Sequence, residues 1–226
     1  MADDATQTPS IQTPSIQTPK ARRILELAQE ASTCPACDLS ETRTKVVFGD
    51  GNADSPLMLV GEGPGQNEDA TGLPFVGRAG TLLDECLREA GMLRRHIYLT
   101  NVVKCRPTME EAGRIKNRPP RADESGACVP LWLDKQIAVI QPLVILCLGA
   151  PAASAIIHKN FKMTQERGQW FESKYVRYAM AALHPAYILR QEGEAYDQAR
   201  QFLIQDLIAA RDKAKTAKAE PKMTLF

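Results

Sequence analysis

The chain is 226 residues long, 44% hydrophobic and 24% charged, with a formal net charge of +1. Such a balance suits one large globular domain or two small ones. It excludes a globally basic nucleic-acid binder, while leaving room for a local basic patch. The acidic start Met1-Ala2-Asp3-Asp4 runs into no apolar segment, so no signal peptide is expected. The longest apolar stretch, 143–157, is interrupted by Gly149 and Pro151, so no membrane span is expected either.

Residues 7–20 repeat a polar, proline-bearing unit, QTPSI-QTPSI-QTPK, which cannot bury a core. Residues 1–20 are therefore read as a disordered arm, 21–213 as a single folded domain and 214–226 as a flexible tail. Residues 21–32 carry apolar side chains at helical spacing and lead into Cys34-Pro-Ala-Cys37. Residues 56–60 form an apolar run ending at Gly61, a buried strand entering a turn. The pattern predicts a helix over 81–90, stopped by Gly91, and a strand over 97–103. Residues 104–122 read as a polar, basic loop. A helix over 123–140, a strand over 143–148 and a small-residue helix over 151–157 follow. Another strand, 176–183, leads into His184-Pro185, and a last helix covers 194–213. Strands alternating with helices predict a three-layer α/β/α sandwich around a mostly parallel four-stranded sheet. Ligands of such sheets bind beyond the C-terminal strand ends. Three segments fall there: 61–65, 101–106 and 184–190.

Gly61, Gly63 and Gly65 are spaced G-x-G-x-G with Pro64 inside, which is not a dinucleotide fingerprint. They mark a turn whose backbone approaches a ligand closely. Of six cysteines, Cys86 and Cys147 sit inside apolar patterns and are assigned to the core. Cys34, Cys37, Cys105 and Cys128 lie beside loops and suit a centre with four cysteine ligands. Spacing leaves zinc and an iron–sulfur cluster both open. Between Lys104 and Arg121 six basic residues face two glutamates, a local excess that points to phosphate contact. His184 falls at a strand's C-terminal edge, where its imidazole can donate into the site.

In order along the chain stand Cys34-Pro-Ala-Cys37, Val46-Val-Phe-Gly49, Gly61-Glu-Gly-Pro-Gly65, Glu68-Asp69, Gly72-Leu-Pro-Phe-Val-Gly77, Thr100-Asn-Val-Val-Lys-Cys-Arg-Pro107, Asn117-Arg118, Cys128 and His184-Pro-Ala-Tyr-Ile-Leu-Arg190. This set resembles the family 4 uracil-DNA glycosylases, which carry a 4Fe–4S cluster. The resemblance implies base excision repair: hydrolysis of the N-glycosidic bond of deoxyuridine in DNA after base flipping. It implies cluster ligation by Cys34, Cys37, Cys105 and Cys128. Phe75 is expected to stack on uracil, Asn101 to read its edge and Glu68 to lie near C5 and hinder a thymine methyl. Gly61 and Gly63 are expected to bring the backbone close. His184 is expected to donate to O2, and Glu62 is a candidate for holding water, its alternative being a carboxylate that caps the turn. Superfamily relatives with an Asp two places after Gly61 differ from this chain, which has Gly63 there. Arg106, Arg118, Tyr187 and Arg190 are expected on DNA. The last motif departs from H-P-S-Y-L-L-R at Ala186 and Ile188, which removes a hydroxyl. Lys222-Met-Thr-Leu-Phe226 resembles a sliding-clamp peptide, with Lys222 in place of the usual Gln. A monomer in the cytoplasm, associated with the nucleoid, is expected. The rival reading is a non-catalytic iron–sulfur protein that binds DNA or senses damage.

Overall fold

The computed structural model describes residues 18–217. The expected arm therefore lies largely, and the clamp peptide Lys222–Phe226 wholly, outside the described residues. Seven strands occur among those described: β1 (Asp50–Gly51), β2 (Leu57–Gly61), β3 (Tyr98–Asn101), β4 (Thr108–Glu111), β5 (Arg114–Asn117), β6 (Val144–Leu148) and β7 (Tyr178–Ala182). The helices are α1 (Pro19–Ser32), α2 (Leu39–Thr42), α3 (Gln66–Thr71), α4 (Arg78–Glu89), α5 (Ala122–Cys128), α6 (Asp134–Ile140), α7 (Ala150–Ile156), α8 (Met163–Glu166), α9 (Pro185–Ile188) and α10 (Gly193–Ala217).

The main sheet runs β1-β3-β2-β6-β7. β3, β2, β6 and β7 are parallel, and only the two-residue β1 is antiparallel. The predicted four-stranded sheet is thus a five-stranded one, its extra strand too short to carry an alternating pattern. Strand periodicity divides the core into two layers. Leu57, Leu59, Leu99, Val144, Leu146, Leu148, Met180 and Ala182 face one way, against α4 and α10. Met58, Val60, Tyr98, Ile145, Cys147, Ala179 and Ala181 face the other, against α1, α6 and α7. Burial on both faces explains why these strands read as continuous apolar runs.

Helix ends follow local chemistry. Thr18 accepts from the Ala21 N–H at 3.2 Å and Pro19 occupies the first turn, so α1 starts inside the stretch assigned to the arm. The helix predicted over 123–140 is instead α5, a π turn at Val129–Leu133 and α6. Pro130 lacks the N–H that an α-helical bond requires there. α10 runs four residues past its predicted end and buries Ala214 and Ala217. The loop predicted over 104–122 contains the β4–β5 hairpin, registered Glu111 opposite Arg114. Its turn residues Ala112 and Gly113 both have positive φ, 51° and 72°. An alanine at that place hides the usual hairpin signature.

No helix among the described residues is long and apolar enough to cross a membrane. Leu59 is fully buried in β2, which β3 and β6 flank on either side. Leu59→Ala is expected to lower unfolding free energy by about 2–5 kcal/mol, measured by urea denaturation.

Candidate active site

The four parallel strands end together, and the chain leaves each one carrying a functional group. Gly61 ends β2 opposite Asn101 at the end of β3. The pairing continues past both strands. Val102 N–H donates to the Gly61 carbonyl at 2.9 Å and Val103 N–H to the Glu62 carbonyl at 3.2 Å. These bonds hold Asn101 firmly, although the predicted strand 97–103 ends early, at Asn101. Gly149 follows β6, and His184 follows β7 by two residues. Asn101, Gly149 and His184 open on one cavity of about 1150 Å³. Its walls include Glu62, Gly63, Glu68, Phe75, Asn101, Arg118, His184, Tyr187 and Arg190.

Gly61 sits behind the cavity wall, where Asn101 and Phe75 converge. A Cβ at 61 would stand 2.6 Å from Phe75 Cζ and would overlap Asn101 Oδ1. A glycine is therefore what permits the aromatic ring and the carboxamide to meet. The Phe75 and His184 rings lie 6.1 Å apart, tilted by 34°. Phe75 is buried and belongs to the core as well as to the cavity wall.

His184 caps α9. Its Nδ1 accepts from the Ala186 N–H at 3.1 Å. The ring proton of the neutral imidazole is thereby assigned to Nε2, leaving that nitrogen as a donor. Burial, with the Arg190 charge adding to it, pushes the His184 pKa down to about 4. The imidazole is neutral at pH 7.

Glu62 Oε1 is buried and meets no hydrogen-bond donor among the described residues. Burial raises its pKa above the ordinary carboxylate value. Glu68 is differently placed. Its Oε2 accepts from the Gly65 N–H at 2.9 Å, which caps the start of α3. Burial still raises its pKa. The turn-capping carboxylate is thus Glu68, and Glu62 is the one left without a donor.

The cations divide into two sets. Arg118 makes a two-pronged pair with Glu124 at 2.8 and 2.5 Å and also donates to the Thr108 carbonyl at 2.9 Å. Its guanidinium anchors the hairpin to α5. Arg106 Nε donates to Asn117 Oδ1 at 2.7 Å beside the cavity. Arg190 is exposed, its guanidinium 6.0 Å from the centre of the exposed Tyr187 ring.

Cys34, Cys37, Cys105 and Cys128 line a second, small cavity together with Arg43, Lys104 and Trp132. Cys86 and Cys147 are buried in the two core layers instead. Trp132 Nε1 donates to Cys34 Sγ at 3.3 Å, and Arg43 Nη1 approaches Cys105 Sγ at 3.6 Å. Burial pushes the Cys105 thiol up to about 11, against the pull of Arg43. Such donors favour sulfur in its anionic, ligating form. Among the described residues no three His, Cys, Asp or Glu side chains are gathered as around a single metal ion. Lys104 joins this cavity to the first. Its buried Nζ donates to Thr100 Oγ1 at 2.7 Å and to the Asn101 carbonyl at 2.6 Å.

Sequence reasoning missed Lys104 as a buried ammonium and missed Arg94, which bonds the backbone under Phe75. Neither carries a local signal: both read as ordinary basic residues near a strand.

The family model described as the uracil DNA glycosylase superfamily matches residues 48–208. The type-4 uracil-DNA glycosylase of Thermotoga maritima is 41% identical, over 85% of this chain and 95% of that one. That of Sulfurisphaera tokodaii is 37% identical, over 85% and 86%, and that of Archaeoglobus fulgidus 38%, over 73% and 82%. The crystal structure of wild-type SMUG2 from Pedobacter heparinus shares the fold, with a TM-score of 0.51 at 16% identity, over 72% of this chain and 77% of that one. The chain is a member of the uracil-DNA glycosylase superfamily, and within it belongs to the type-4 family.

The depressed pKa makes a direct prediction. In NMR titration the His184 ring resonances should stay flat from pH 8 to 5.5 and move near pH about 4. Because the folded value lies below the unfolded one, this group's contribution to stability is present above about pH 6.5 and is lost as pH falls.

Proposed function

We propose that the protein is a DNA repair enzyme that hydrolyses the N-glycosidic bond of deoxyuridine in DNA, releasing uracil and leaving an abasic site. One observation carries the reading. An aromatic ring, a buried carboxamide, a neutral imidazole with its donor nitrogen free and a glutamate with one buried, unpartnered oxygen line one cavity. The 35–41% identity to type-4 relatives over most of the chain supports the same activity.

A base stacked in DNA is out of reach, so the deoxyuridine swings out into the cavity. Its ring lies against Phe75. The Asn101 amide accepts from N3–H and donates to O4. Cytosine presents the opposite polarity at both atoms and would leave buried groups unpaired. Glu68, held by the Gly65 N–H, stands at the C5 edge. As the C1′–N1 bond breaks, its electron pair moves onto uracil, and His184 Nε2–H donates to the growing charge on O2. A neutral imidazole stabilises that anion by hydrogen bonding and keeps its own proton. Water adds to the oxocarbenium-like C1′ and gives a proton to Glu62, whose desolvated oxygen has no competing donor. Arg106 and Arg190 lie on the DNA strand beside Tyr187, and Arg118 holds the hairpin that carries the adjoining wall.

The donor set at Cys34, Cys37, Cys105 and Cys128 fits a 4Fe–4S cluster: four thiols around one small cavity with N–H donors beside them. When bound, the cluster supplies a covalent clamp, since hydrolysis of this bond transfers no electrons. The four cysteines tie the segment after α1 to both ends of the 105–128 segment, which carries Arg106 and the hairpin. A monomer acting on uracil-containing DNA in the cytoplasm and nucleoid completes the reading, with Lys222–Phe226 as a sliding-clamp peptide.

Incubation with a uracil oligonucleotide followed by alkali should break the strand at uracil. His184→Ala should slow single-turnover excision by about 10²–10³-fold, and unchanged excision by that variant would refute the role of the imidazole. Since the Glu62 pKa is raised and the base must be ionised, the wild-type rate should fall on acidification above the ordinary carboxylate range. Glu62→Gln should abolish that limb and slow excision by about 10²–10⁴-fold; full activity removes Glu62 as the base. Cys105→Ala should lose visible absorbance and DNA affinity together, whereas a coloured, DNA-binding variant would take Cys105 off the ligand set.

A further inference from the structure

Phe75 reaches the cavity by a strained route. Its φ is 52°, in the left-handed region that bulky side chains avoid. Something must hold it there, and three residues do: Arg94, Asp84 and Gly80. Arg94 opens the short helical turn Arg94–His96 before β3. Its Nη1 donates to the Pro74 carbonyl at 3.0 Å, and its Nη2 donates to the Phe75 carbonyl. Its Nε donates to Asp84 Oδ1 on α4 at 2.6 Å. Gly80, on the same helix, lets the Phe75 carbonyl approach, since a Cβ there would overlap that oxygen. The far side of the same residue is the ring that meets Gly61 and faces His184.

A planar guanidinium has a fixed fork of donors, so it can hold two successive carbonyls in one orientation. With its third edge tied to a carboxylate, it cannot rotate. The pair is partly exposed, with side chains 25% and 39% accessible. A pair that open contributes little to global stability, which leaves geometry as its main effect.

We propose that Arg94 and Asp84 are positioning residues that hold the Pro74–Phe75 turn, and thereby set the Phe75 ring against which the flipped uracil stacks. The inference rests on the reading of Phe75 as the stacking surface. Arg94 touches neither uracil nor water; it acts through the ring. Lysine keeps the charge and loses the fork, so Arg94→Lys separates the two.

The experiment is a double-mutant cycle of Arg94→Lys with Phe75→Leu on the full-length, metal-loaded protein. It reads the thermal midpoint, the His184 ring resonances and single-turnover excision from a saturating uracil oligonucleotide. In the wild-type background Arg94→Lys should keep a cooperative melt and shift the His184 resonances, because the ring current of Phe75 moves. It should slow excision by on the order of tenfold to a hundredfold. In the Phe75→Leu background it should cost less than about a further twofold. Equal loss in both backgrounds, or unmoved His184 resonances, would overturn the proposal. Full activity of Phe75→Leu alone would strike the stacking reading instead, and the clamp would then stand or fall on the resonances. If Arg94→Lys fails to fold, Asp84→Asn carries the same cycle, with shifts in the same direction expected and their absence decisive against it.

Discussion

The site hangs on the hydrogen-bond ladder between the ends of β2 and β3. Gly61 pairs with Asn101, and the ladder runs on through Val102 and Val103 into the turn that carries Glu62. In the proposed role, a carboxamide that tells one ring edge from its mirror polarity has to be held without slack. Side chains on a terminating strand have that rigidity, and those on a free loop do not. The same ladder fixes Glu62, because its carbonyl is a rung. One backbone feature therefore places both Asn101 and Glu62, the two groups to which the proposal gives base reading and water activation.

The His184 imidazole is set by a different device. Its tautomer is decided by the Ala186 N–H, and its neutrality by burial with Arg190 adding to it. A leaving anion can be stabilised by a hydrogen bond or by a full positive charge. The proposed mechanism uses the former, which avoids holding an imidazolium in a poorly solvated pocket before substrate arrives. Glu62 lies in the same wall with its own pKa raised. Shared desolvation thus keeps the imidazole neutral and makes the carboxylate a stronger base.

Lys104 connects the catalytic end of the sheet to the cysteine cavity. A buried ammonium needs nearby negative charge. Its Nζ donates to the Thr100 hydroxyl and the Asn101 carbonyl; burial pulls its pKa down to about 7, and the charges of Cys128 and Cys105 oppose that pull. Lys104 therefore ties the main chain of Asn101 to the cysteine cavity. Much of this was legible in the sequence. The apolar runs gave the parallel strands, and the glycines after β2 together with Asn101 and His184 marked one rim. What stayed hidden depends on contacts between distant segments. Arg118 looked like a free cation until Glu124 met it across the hairpin base. Arg94 and Phe75 are 19 residues apart, and no periodicity joins a guanidinium to a backbone carbonyl. The hairpin escaped because Ala112 takes a conformation that its composition does not advertise.

The most direct test is the structure of the protein with free uracil bound. The account predicts the ring lying against Phe75, O2 about 3 Å from His184 Nε2 and the N3–O4 edge at the Asn101 amide. Uracil seated elsewhere in the cavity, or turned so that O2 faces away from His184, would contradict it.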